Sequence, residues 1–148
     1  MALTVIFDVD GTLVDNTYLH VLAWWYACRD HGLVAKMAVL HRLVGMGGDQ
    51  FVPALIGREM PELDEAHGRH YQPHLAEVPV LAGAADLLSE LHRRGATLAI
   101  ATSSKRPDLE VVLARIASAP LIDHIVTSED VADTKPAPDL ALVAMRRS

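Results

Sequence analysis

Cysteine is nearly missing from this chain of 148 residues. Cys28 stands alone, so no disulfide can form within the chain. That usage fits a reducing, cytoplasmic compartment, with Cys28 a small buried packing residue. Long basic runs are missing as well, and the formal net charge is −6. A nucleic-acid partner is not expected, because binding a phosphate backbone needs a basic footprint. The first residues, MALTVIFDVD, have no basic region, and their apolar run stops at Asp8. This is too short for a signal peptide or a membrane span, so no membrane association is expected. Internal repeats and low-complexity tracts are also absent. What remains is a composition that is 51% apolar and 22% charged, long enough for one core or a core with an insertion.

Three short apolar segments are predicted as strands: Leu3–Phe7, Ala96–Thr102 and His124–Ser128. The first is apolar on both alternating faces, as in a buried parallel strand. Between the other two, SSKRPDLEVVLARIASA reads as a helix, with Ser103 or Ser104 as cap and Leu109, Val112, Leu113 and Ile116 on one face. GAADLLSELHRRG precedes the second strand as a helix with Leu87, Leu88 and Leu91 on its stripe and Gly95 as its stop. Alternating strands and helices predict an α/β fold with a Rossmann-like parallel sheet. Residues 15–79 show helical periodicity throughout and are too many for an ordinary crossover. They are expected to form an inserted all-helical cap domain on a core made of 1–14 and 80–148.

Asp8 and Asp10 end the first strand, where open α/β sheets bind ligands. Two residues apart on a strand, they lie about 6–7 Å apart on one side. One carboxylate can then attack an atom while the other reaches the group departing from it. Gly11 permits a sharp turn after them. Alone, the pattern reads equally as a polar strand terminus. The other strand ends add hydroxyls at Thr102, Ser103 and Ser104, and the cation of Lys135 in a loop stiffened by Pro136 and Pro138.

FDVDGTLVDN, LAIATSS and DTKPAPD, in this order and spacing, resemble the first three motifs of the haloacid dehalogenase-like hydrolase superfamily. The helical insertion after strand one is similar to that of its phosphoglycolate phosphatase-like and β-phosphoglucomutase-like branch. The resemblance implies that Asp8 is the nucleophile that becomes an aspartyl phosphate, and that Asp10 is general acid and then general base. It implies that Thr102, Ser103 and Lys135 hold the phosphoryl oxygens of a small phosphorylated metabolite. It implies Mg²⁺, bound by the Asp8 carboxylate, the Asp10 carbonyl and phosphate. Two neighbouring carboxylates are expected to raise one another's pKa, so that one stays protonated.

The resemblance has a gap. The family's fourth motif, an acidic cluster after a further strand, has no counterpart after Lys135, so the core is expected to be incomplete at its C-terminus. Unpaired, LTVIF would leave an apolar sheet edge open to self-association. A sugar-phosphate mutase and a non-catalytic truncated homologue are the alternatives to a phosphatase. His67, His70 and His74 are expected on a solvated face of the cap, Trp24 and Trp25 in its packing, and His20 near the active site. The glycine-rich segment VGMGGDQ, residues 44–50, is expected to be a cap loop over the substrate.

Overall fold

The structure, a computed structural model, describes residues 3–148. Three parallel strands, β1 (Thr4–Phe7), β2 (Thr97–Ala101) and β3 (His124–Val126), lie in the order β1-β2-β3. Thr4 pairs with Thr97, and Ala99 with His124. The sequence-predicted strands are each shortened. β3 ends at Val126 because Thr127 turns to cap the 3-10 turn Ser128–Asp130, its amide donating to Asp130 Oδ2 at 2.8 Å.

Residue size alternates along β2, and this divides the core. Leu98 and Ile100 point into a cluster with Phe7, Leu88, Leu109, Val112 and Ile116, beneath α5 (Ala84–Arg93) and α6 (Arg106–Leu113). Ala99 and Ala101 face the other way, where their small side chains let Leu140 and Ala144 of α7 (Asp139–Arg147) settle against the sheet. Leu88 is fully buried, but Leu87 is 48% exposed, so the apolar stripe of α5 is narrower than its leucines suggest. Among the described residues, β1 pairs with β2 alone.

Between β1 and α5 the chain is helical: α1 (Thr17–Asp30), α2 (Met37–Leu43), α3 (Gly48–Ile56), α4 (Pro61–Tyr71) and a 3-10 segment, Gln72–Glu77. This layer has its own apolar cluster, in which Trp24, Cys28, Leu40, Phe51 and Leu63 are buried. Trp24 stacks on Phe51 with centroids 3.9 Å apart, and the Arg29 guanidinium lies over the Trp25 ring at 4.6 Å. The chain enters and leaves the layer side by side. Val14 bridges Val80 antiparallel, and the Asp15 amide donates to the Pro79 carbonyl at 2.8 Å. No helix among the described residues is long and apolar enough to cross a membrane.

Candidate active site

The turn after β1 is wound tightly enough to set its side chains. The amides of Thr12, Leu13 and Val14 all donate to the Val9 carbonyl, and Gly11 adopts a left-handed φ of 70°. A Cβ at Gly11 would press on Thr17 Oγ1 at 2.8 Å. Only glycine meets both demands without strain.

This turn sends the two aspartates to different partners. Asp8 Oδ1 accepts from Lys135 Nζ at 2.7 Å and from the Val9 amide at 2.8 Å. Lys135 is held inward by a second bond, to the Ala101 carbonyl at 2.8 Å. Asp10 is only 16% exposed and is gripped from three sides. Asn16 Nδ2 donates to Oδ1, Ser104 Oγ donates to Oδ2 at 2.8 Å, and His20 Nε2 lies 3.5 Å from Oδ1. Burial pushes the Asp10 pKa up, but the bonds and charge of His20 and the bonds of Asn16 and Ser104 outweigh it. They hold the group well below the usual carboxylate range. This corrects the expectation of two carboxylates raising one another. Asp8 and Asp10 take separate partners, and Asp10 is ionised.

Asn16 is the hub that sequence reading missed. It precedes α1, where an asparagine would cap the helix, yet it makes no capping bond. Its amide donates instead to Asp10 and to the Tyr71 hydroxyl at 2.7 Å, while its Oδ1 accepts from the Gly11 amide at 3.1 Å. The serines after β2 depart from expectation in the same way. Neither caps α6, whose N-terminus begins beyond Lys105. Ser104 goes to Asp10, and Ser103 Oγ is buried without a partner among the described residues. Thr102 is fully buried, and its hydroxyl accepts from the Ser104 amide at 3.1 Å.

A cavity of about 320 Å³ opens above these groups. Asp8, Asp10, Ser103 and Ser104 line its floor, and Trp24, His67, Tyr71 and the glycines 45, 47 and 48 its roof. His20 lies where it was expected. His67 does not lie on a solvated face: its ring stacks on Trp24 at 4.2 Å and its Nε2 bonds His20 Nδ1 at 3.1 Å. Burial, and then the neighbouring charge of His20, hold the His67 pKa well below its ordinary value, so His67 is neutral. His70 stays outside and pairs with Asp30 at 2.7 Å. Only the helical spacing of His67 to Tyr71, one turn apart on α4, hinted that both share a face.

Among the described residues no group of three or more His, Cys, Asp or Glu side chains could hold a metal ion, so a hard cation would depend on oxygens of Asp8 and Asp10 together with a bound phosphate. Asp8 Oδ2 accepts no hydrogen bond among the described residues, and neither does the Asp10 carbonyl. Two such oxygens beside a phosphate suit Mg²⁺, which keeps several waters and takes one or two carboxylates.

The chain belongs to the haloacid dehalogenase-like hydrolase family, whose sequence pattern matches residues 5–148. It is 34% identical over 149 residues to hexitol phosphatase A of Escherichia coli K12, covering 93% of this chain and 65% of that protein. It is 28% identical over 139 residues to validoxylamine A 7'-phosphate phosphatase of Streptomyces hygroscopicus subsp. limoneus, covering 90% and 65%. The chain thus spans just under two thirds of the length of these relatives. A crystal structure of a hydrolase from Pseudomonas syringae superimposes with a TM-score of 0.90 at 32% identity, covering 99% of this chain and 70% of that one.

Proposed function

We propose that this chain hydrolyses the ester of a small phosphorylated metabolite, with Asp8 as nucleophile. One observation carries the reading. Asp8 stands on the cavity floor with one oxygen fixed by Lys135 at 2.7 Å and the other unengaged among the described residues. The unengaged oxygen attacks phosphorus, the ester P–O bond breaks, and the departing oxygen takes a proton from Asp10. Water then attacks the aspartyl phosphate, Asp10 accepts its proton, and phosphate leaves Asp8. In the arrangement described Asp10 is the ionised, base form. An arriving phosphate dianion beside it favours the protonated, acid form. Lys135 and the unpartnered Ser103 hydroxyl face the phosphoryl oxygens, and Thr102 supports the loop that carries them. A single contact of this kind contributes about 3–4 kcal/mol in the transition state.

Mg²⁺ would be held by the Asp8 carboxylate and the Asp10 carbonyl, and would supply positive charge beside the transferring group. In this reading residues 15–79 are the cap and residues 1–14 with 80–148 the core. Closure of one on the other excludes bulk water from the aspartyl phosphate. The naming of relatives as phosphatases supports hydrolysis, and the 26% identity to β-phosphoglucomutase of Bacillus subtilis makes product identity a necessary part of the test.

The test is Mg²⁺-dependent release of inorganic phosphate from an aryl phosphate and a panel of sugar phosphates. Release that stops in Asp8→Asn and with chelator is the expected result. Isomerised sugar phosphate without net release would replace hydrolysis by mutase chemistry. Equal turnover by Asp8→Asn would sink the reading.

A further inference from the structure

The glycine-rich segment 44–50 contributes no side chain to the chemistry above, yet it makes a two-point polar contact between the helical layer and the core. Asp49, in the first turn of α3, accepts two bonds from one core residue. The Thr134 amide donates to its Oδ2 at 3.0 Å, and the Thr134 hydroxyl donates to its Oδ1. Beside it, Gln50 Nε2 donates to Asp133 Oδ1 at 3.3 Å. A Cβ at Gly47 would collide with the Thr134 side chain, so the approach needs both the bare backbone at 47 and the carboxylate at 49. Other polar links join layer and core as well: Asn16 and His20 meet Asp10, Arg115 donates to the Ala76 and Val78 carbonyls, and Lys105 to Asp64 at 3.5 Å and Gln72 to Asp108 at 3.2 Å are single and exposed. Thr134 by contrast is 5% exposed. Two charge-assisted bonds onto one buried residue fix both its backbone and its side chain.

The next residue along the chain is Lys135. Its ammonium reaches Asp8 and the Ala101 carbonyl from a loop that has no strand or helix of its own until α7. What fixes Thr134 therefore fixes the root of that lysine. We propose that Asp49 is a positioning residue for the phosphate site, acting through Thr134 to hold Lys135 at Asp8 when the helical layer is seated on the core. Its consequence rests on the reading of Asp8 and Lys135 as a phosphate site. The cap loop then does more than exclude water: its seating sets the cation that receives the phosphoryl charge. Opening the layer frees Lys135, which favours product release.

The experiment follows the Lys135 ammonium resonance by NMR in the full chain, alongside inorganic phosphate affinity. In Asp49→Ala and in Thr134→Val the resonance should broaden or shift while the rest of the spectrum and the melting temperature stay close to the parent. Phosphate should bind about tenfold more weakly, the loss expected for hydrogen bonds to a charged group. In a Lys135→Ala background, Asp49→Ala should cause no further loss, and Thr134→Ser should restore the parent behaviour. An unchanged Lys135 resonance in Asp49→Ala, or an equal loss of phosphate affinity with and without Lys135, would overturn the proposal. If the parent binds no phosphate while Asp49→Ala still shifts the resonance, the phosphate-site reading fails and the coupling of Asp49 to Lys135 stands.

Discussion

The floor of the cavity comes from the ends of the sheet's strands, and its roof from helices that touch each other far along the chain. Asp8, Asp10, Ser103 and Ser104 line the floor from the loops after β1 and β2, and Lys135, which does not itself line the cavity, reaches Asp8 from the loop before α7. Trp24, His67 and Tyr71 come from α1 and α4, while the glycines 45, 47 and 48 add only backbone to the roof. In the floor both carboxylates have named partners. The roof is shaped by stacking, Phe51 on Trp24 on His67, which fixes ring planes but spends few hydrogen bonds. Floor substitutions should therefore act on the chemical step, and roof substitutions on stability and on seating of the layer.

Asp10→Asn should break this contrast most sharply. Removing a general acid–base group is expected to lower kcat about 10²–10⁴-fold with little change in melting temperature. Parent-like kcat in steady-state assays would contradict the role. Next in size, Leu63→Ala, a fully buried position of the helical layer, should destabilise by about 2–5 kcal/mol in denaturant unfolding. It should leave kcat at low denaturant near the parent value. Asn16→Ala sits between floor and roof and should move both. It should cost about 1–3 kcal/mol for the unpaired groups it leaves behind and lower kcat as well, because Asp10 loses a donor.

The smallest effect concerns pH. His67 has a folded pKa below the ordinary 6.5, so the unfolded chain binds the proton more readily. Its contribution to stability is present above pH 6.5 and is lost as pH falls below it. Unfolding free energies measured from pH 7 to 5 should fall less steeply in His67→Gln than in the parent. An identical slope would mean that the stacked ring is not held neutral.

The floor was legible in the sequence because its information is local. A strand that runs into Asp8 and Asp10, hydroxyls after the second strand and a lysine between stiffening prolines each announce themselves within a few residues. The parallel sheet followed from the alternation of strands and helices. Partner choice was not legible. Asn16 has the residue type and position of a helix cap and Ser104 the residue type, and only the fold brings Asp10 close enough to claim both. The expected pKa argument failed for the same reason, since it counted the neighbouring carboxylate and not the donors around Asp10. His67 looked solvated because α4 is polar along most of its length, and its burial depends on Trp24 from a helix more than thirty positions away. Thr134 and Asp49 lie 85 positions apart, and no spacing pattern connects them.

The central claim, that Asp8 carries the phosphoryl group, is tested most directly by trapping it. Protein quenched in acid during turnover and digested should show, by mass spectrometry, a phosphoryl group on the peptide that contains Asp8, base-labile and missing from Asp8→Asn. Turnover with no modified peptide at any quench time, or modification of a peptide without Asp8, would contradict the account.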